Sequence, residues 1–499
     1  MKFKIYFLTI FILGKSLYSQ ETLSKLIYDG DILFRSYYLW RDILINKQIQ
    51  ESCPNPIEVY LNPNTKPNTK CQEKRDEHKL RFRLNLLFSP NSFTEIYYGL
   101  EVGDITFGQE KNKIGPGSGG SGSDATNVET RELRLSLHNQ IKSTILDIGI
   151  FPYSTPDGIV LASSGAGIKF RQEFKNLNSL LEIVYFRLQD NSFKDNDSNG
   201  FSDENYKDVE LISFSYKIFR FADILPQFYF VYKRDPIEKD TNNNIKDTYQ
   251  FYWGGLYFQY SYKNLNIYTN LINQQGYLLS TIKIIKNEFF LKTYIPDLYS
   301  KIQNQNNAFP ENRKKYPKNA YAGNLEISYR FLNNLKISYV FTGATGRAGL
   351  NNDGTSSKYN VDQYTSAGGA FQFSEIVVDT SGGYSIISID NLAGIVGHGI
   401  KIEYQIKDGI LIEPQYYLFR THRTPTIDYN QFFNRENFKN PTNNFGSEWN
   451  LRLIYKPWVN FSVRIHFAYF NASESYKTIY DIKNGDSLRE YSIFVQQKF

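Results

Sequence analysis

From about residue 30 to the end, apolar side chains recur at every second position, in runs long enough to cross a bilayer as tilted strands. After the first 20 residues no stretch of 18 consecutive apolar residues occurs. In lipid every backbone polar group must be satisfied within the protein, so only helices and closed barrels span it. A chain with this pattern and no apolar helix can enter a membrane only as a barrel. In 79–88, Leu80, Phe82, Leu84, Leu86 and Phe88 oppose Arg81, Arg83 and Asn85. In 131–138, Leu133, Leu135 and Leu137 oppose Glu132, Arg134, Ser136 and His138. In 461–469, Phe461, Val463, Ile465, Phe467 and Tyr469 oppose Ser462, Arg464, His466 and Ala468.

Composition separates the readings that alternation leaves open. Tyr (39) and Phe (38) dominate a 16 % aromatic fraction, yet mean hydropathy is −0.46. A soluble β-protein with aromatic cores fits this, and so does a barrel whose lipid face is apolar and girdled by aromatic rings. Turn pattern decides. An aromatic and a basic residue precede short turns at Phe174-Lys175, Tyr262-Lys263, Tyr329-Arg330, Tyr404-Gln405-Ile406-Lys407 and Tyr455-Lys456. Between them lie long polar connections near 43–78, 105–130, 152–166, 189–206, 235–247, 298–319, 344–397, 420–445 and 471–487. Short turns alternating with long loops are the asymmetry of outer-membrane barrels, and a sandwich has no reason to sort its loops so. The expected fold is all-β: a transmembrane antiparallel up-and-down barrel of about 18 strands, with 264–297 the doubtful hairpin. No globular plug precedes the first expected strand, Asp31 to Arg41.

The chain opens MKFKIYFLTIFILGKSLYSQ. Lys2 and Lys4 flank a short apolar core ending near Leu13, and Leu17-Tyr18-Ser19 suits cleavage before Gln20. Residues 1–19 thus read as a signal peptide and 20–499 as one barrel domain. At the other end Tyr491, Ile493, Val495 and Phe499 alternate toward a terminal Phe, which resembles the signal read by the barrel assembly machinery. The expected surroundings are outer-membrane lipid, that machinery and a diffusing solute, for a monomer in the bacterial outer membrane. With 57 Lys+Arg against 51 Asp+Glu and no basic stripe, nucleic acid is not a partner.

The two cysteines, Cys53 and Cys71, lie in one polar Pro/Asn-rich stretch. In an exported chain a disulfide is expected there, closing a loop of about 18 residues and worth about 3 kcal/mol; the alternative is two loop thiols. Gly115 to Gly120 matches G-x-G-x-x-G, but no helix pattern follows, so it reads as loop. Neither a catalytic constellation nor a cofactor or metal motif is legible, and an enzyme is not expected. Chemistry is left to the face opposite the apolar one. It carries Arg81, Arg83, Arg134, Lys169, Arg171, Arg330, Lys336, Lys401, Arg452 and Arg464, against Glu95, Glu101, Glu132, Glu173, Glu326 and Glu403. Basic side chains along a pore favour anions, and mixed charge sets a transverse field. Gly368, Gly369, Phe371 and Phe373 suit either an inward constriction or an external cap.

Three stretches resemble the alginate-export-like outer-membrane porins: 131–174 (RELRLSLHNQIKSTILDIGIFPYSTPDGIVLASSGAGIKFRQEF), 397–419 and 445–470. The resemblance covers about a quarter of the chain. It implies an 18-stranded monomeric barrel, passage of acidic, possibly saccharide, solutes, and Arg134, Lys169 and Arg171 as pore lining. The chain departs from the family at Gly149-Ile150-Phe151 and in its six inward Glu. Passive diffusion or export of small or acidic solutes is the first functional expectation. A surface receptor or adhesin acting through the long loops is the alternative.

Overall fold

The computed structural model describes residues 24–41, 73–107, 118–119, 128–139, 141–189, 209–219, 223–239, 245–280, 314–346, 364–378, 394–422, 442–475 and 487–499. The signal peptide, Cys53 and Cys71 lie outside them. Within them, eighteen long strands form one antiparallel up-and-down sheet that closes on itself. They are β1 (Lys25–Arg41), β2 (Glu73–Asn91), β3 (Thr94–Phe107), β4 (Val128–His138), β5 (Thr144–Ser154) and β6 (Ala162–Phe174). There follow β7 (Ser179–Gln189), β8 (Val209–Ile218), β9 (Ile224–Lys239), β10 (Ile245–Tyr262), β11 (Leu265–Ser280) and β12 (Lys314–Leu332). The last six are β13 (Leu335–Ala344), β14 (Ile395–Lys407), β15 (Ile410–Arg420), β16 (Asn444–Trp458), β17 (Phe461–Ala472) and β18 (Ser487–Lys498). A two-residue pair, Ser118–Gly119, lies parallel to Thr106–Phe107 at the edge of β3.

Among the described residues the lower strand count holds, because 265–280 is a single strand that pairs directly with 314–332. The first strand starts six residues before the expected Asp31. Each strand presents one apolar row outward: Leu133 and Leu135 on β4, Ile183 and Tyr185 on β7, Phe228 and Phe230 on β9, Phe467 and Tyr469 on β17 all stand exposed. Outward rows of this kind suit hydrocarbon and would be costly in water. Among the described residues no helix is long and apolar enough to cross a membrane.

The seam is made by the chain ends. β18 pairs with β1, Phe34 opposite Val495 and Tyr38 opposite Tyr491. Gly30 and Phe499 exchange both backbone hydrogen bonds, 3.2 and 3.1 Å. The Phe499 ring lies across Gly30 and stacks on Phe82, centroids 6.0 Å apart. A Cβ at Gly30 would meet that ring at 2.6 Å, so the bare backbone there is what lets the terminal ring seal the seam. Tyr491 and Ile493 face outward beside it.

Candidate functional site

Two connections from the long-loop end turn into the barrel. Residues 155–161, expected as part of an outside polar loop, instead carry a buried apolar tip: Ile159, Val160 and Leu161 are fully buried. The turn is short enough to fold back because Thr155 pinches its base. Thr155 N–H donates to the Leu161 carbonyl (2.9 Å), and Leu161 N–H returns a bond to Thr155 Oγ1 (3.1 Å). The second segment, 364–378, buries Tyr364, Phe371, Phe373 and Ile376 to Val378. The structure thus selects an inward fold for Phe371 and Phe373 over an external cap. The segments dock backbone to backbone: Ala367 N–H to the Val160 carbonyl (2.8 Å), Ala162 N–H to Gly368 (3.0 Å) and Ala370 N–H to Gly158 (3.0 Å). Pairing of main-chain groups is what allows loop backbone to be buried at all.

Two patches of wall fasten this inner unit. On one side Trp253 Nε1 donates to the Thr365 carbonyl (2.9 Å), and Thr365 N–H donates to Gln274 Oε1 (2.9 Å). Asn270 Nδ2 donates to the Pro156 carbonyl (3.0 Å) while its Oδ1 accepts the Tyr229 hydroxyl (2.8 Å). Tyr229 reaches Asn270 by lying flat over Gly255, where a Cβ would come within 1.9 Å of the ring. On the other side Glu448, wholly buried, accepts the backbone N–H groups of Glu375 (2.8 Å), Ile376 (3.0 Å) and Val377 (2.9 Å). Three consecutive amides converging on one carboxylate form an anion nest filled from within the protein. Glu375 in turn takes Arg452 Nε at 2.5 Å, with His466 Nδ1 3.4 Å from its second oxygen. Burial alone would raise the Glu375 carboxyl; its bond to His466 and the Arg452 charge override this and hold it at about 2. On the other inward segment, burial raises the Asp157 carboxyl.

The inner face of β2 to β4 differs. Arg81, Arg83, Glu101, Glu132 and Arg134 stay partly exposed there, while Glu95, Ser136 and His138 nearer the short turns are buried. Glu101 Oε2 accepts both Arg83 Nε (2.5 Å) and Arg131 Nη1 (2.7 Å). Asp147 on β5, only 1 % exposed, sits between Arg134 Nη1 and Lys169 Nζ, each 3.0 Å from Oδ2. Glu132 also contacts Arg134 (2.6 Å), and the Arg134 guanidinium stacks over Tyr97 at 3.9 Å. Glu95 binds Lys142. Carboxylates shared by two cations leave this stretch of wall with a positive excess.

The residues expected to line the pore fall into three groups. Arg81, Arg83, Glu132, Arg134 and Lys169 belong to the charged wall just described, with Arg171 two residues on from Lys169, opposite Glu182. Arg452 grips the inner unit, and Arg464 lies against the Phe494 ring, 5.1 Å from its centroid. Lys336 pairs with Glu403 (2.5 Å) nearer the short turns, Lys401 is opposite Ser338 on the same strand pair, and Arg330 is exposed at the end of β12. Sequence reasoning passed over Asp147, Arg131, Glu448 and Glu375. Asp147 and Glu448 were available from alternation, since Ile148 and Trp449 beside them face outward. Arg131 sits at a β-bulge opposite Gly99 and Leu100, which no alternation rule anticipates. Glu375 lies on a loop whose inward course only the folded barrel reveals.

No protein-family model matches the chain, and no curated protein matches it. Solved structures do share its fold. OccK9 (OpdG) of Pseudomonas aeruginosa superposes with a TM-score of 0.52 at 11 % identity, covering 95 % of this chain and 98 % of that one. OccAB1 of Acinetobacter baumannii gives 0.50 at 12 % identity, covering 95 % and 96 %. Both are outer-membrane porins, and the likeness is one of fold: an 18-stranded barrel of the bacterial outer-membrane type.

Proposed function

We propose that the chain is a bacterial outer-membrane channel through which small acidic solutes diffuse, passing between the inner unit and the charged wall of β2 to β4. The observation that carries this is the split of the inner face. Most of the wall is packed against 155–161 and 364–378 by apolar side chains, whereas β2 to β4 keep half-exposed arginines around shared carboxylates. Water and solute follow the wettable side, and an excess of guanidinium groups there favours anions. In this reading residues 1–19 are the export leader, the terminal strand guides assembly, and the barrel works as a monomer without cofactor or catalytic step.

The alginate-export-like resemblance suggests a narrower version in which acidic saccharides are among the solutes. Planar-bilayer recording under a salt gradient tests the broad reading: discrete conductance steps with a reversal potential on the anion side are expected. A protein that folds yet gives no channel at any voltage contradicts it. Liposome uptake of a uronate faster than the neutral sugar of the same size tests the narrow version.

A further inference from the structure

The short turns carry a motif that channel function does not use. Where a turn faces water its exposed tip is normally polar. Here two turns carry apolar tips, Leu177, 65 % exposed, and Val459, fully exposed, and Leu332, at the end of β12 beside the Asn333-Asn334 turn, is 61 % exposed. Each follows an outward aromatic ring, Phe174, Tyr329 or Trp458, that belongs to the lipid-facing band. Lysines stand among them: Lys175, Lys263, Lys407 and Lys456 are all exposed, and none forms an ion pair with another described residue. The Lys263 ammonium lies over the Tyr262 ring, 5.2 Å from its centroid. That contact directs its charge along the outer surface rather than into the lumen. The acids described near these turns are Glu95, which pairs with Lys142, and Glu173, Asp223 and Asp408; against them stand Lys175, Lys217, Lys263, Arg330, Lys407 and Lys456, so the rim keeps a positive excess.

From this arrangement we infer that the short-turn rim is a binding collar for anionic phospholipid headgroups. The apolar tips and aromatic rings continue the lipid-facing band into the interfacial zone, so the turns lie within the leaflet boundary and do not project into water. Lysine stems run along apolar surface while the ammonium groups reach the phosphate plane. A zwitterionic headgroup answers such a charge with its own cation beside the phosphate; a phosphatidylglycerol headgroup does not. The ligand class is therefore a lipid with net negative charge at the phosphate, held at several equivalent points around the ring. This inference is independent of which solute the lumen passes.

Native mass spectrometry of the folded full chain with equimolar phosphatidylglycerol and phosphatidylcholine tests the collar. Wild type is expected to retain phosphatidylglycerol over phosphatidylcholine by about fivefold per occupied site. The variant K175Q/K263Q/K407Q/K456Q is expected to retain the two about equally. A control at the long-loop end, R187Q/R420Q, is expected to keep the wild-type preference. Equal retention by wild type overturns the proposal, as does an unchanged preference in the quadruple variant or its loss in the control. Should the quadruple variant fail to show heat-modifiable migration, wild type alone decides. Its preference should collapse between about 0.05 and 0.5 M salt, where screening shortens to a few ångströms, and a salt-insensitive preference overturns the collar.

Discussion

The inner faces of β2 to β4 and of β9 to β11 obey the same alternation and do opposite things. Opposite outward rows of similar apolar character, the first turns Arg81, Arg83, Glu101 and Arg134 inward, while the second turns Tyr229, Trp253, Asn270 and Ile272 inward. Inward charge marks wall that stays wet; inward aromatic and amide groups mark wall that is covered by chain. The comparison teaches that a barrel of this size is not uniformly hollow. Its lumen is divided by which strands offer a loop something to bury against.

The largest expected effect comes from breaking the covered side. Glu448→Ala removes the acceptor for three buried amides, each costing about 1–3 kcal/mol when unmet. The 364–378 segment should leave the wall, and single-channel current should rise several-fold with added noise. Gly255→Ala acts at the opposite fastening. The Tyr229 ring must move, at about 1–3 kcal/mol of overpacking, and Asn270 loses its hydroxyl partner. A smaller rise in current and a lower temperature for loss of heat-modifiable migration are expected. Asp147→Asn sharpens the wet side. It leaves Arg134 and Lys169 without their shared charge, and anion-over-cation permeability should increase about two- to threefold at low salt. The smallest effect belongs to neither face. Tyr339→Phe on the lipid side removes one 2.7 Å contact to His398, should cost about 1 kcal/mol at most, and should leave conductance and selectivity unchanged.

Much of this was readable before the fold was known. Alternation over 79–88, 131–138 and 461–469 gave strands with the correct faces, because a strand's side chains must alternate and lipid allows no charge on the outer row. The sorting of turns from loops gave the up-and-down order. Alternation could not give the inner unit. Ile159 to Leu161 form a three-residue apolar run inside a Pro/Gly-rich connection, the same pattern that a short strand or an exposed loop presents, and only the closed barrel supplies the surface that buries them. The Glu448 nest is hidden for a related reason: its donors are main-chain groups of 375–377, which have no sequence identity to read. Arg452 was legible as an inward residue, but its task of holding Glu375 depends on a loop 77 positions away.

Site-directed labelling tests the divided lumen most directly. In a background with Cys53 and Cys71 replaced by serine, single cysteines are placed at Arg83 on the charged wall and at Ala320, fully buried on the covered one. A charged, water-soluble thiol reagent is then added during single-channel recording. The account predicts rapid modification and loss of most of the current for Arg83→Cys, with no change for Ala320→Cys until Glu448→Ala is introduced as well. Equal block at both positions in the otherwise intact barrel would contradict it.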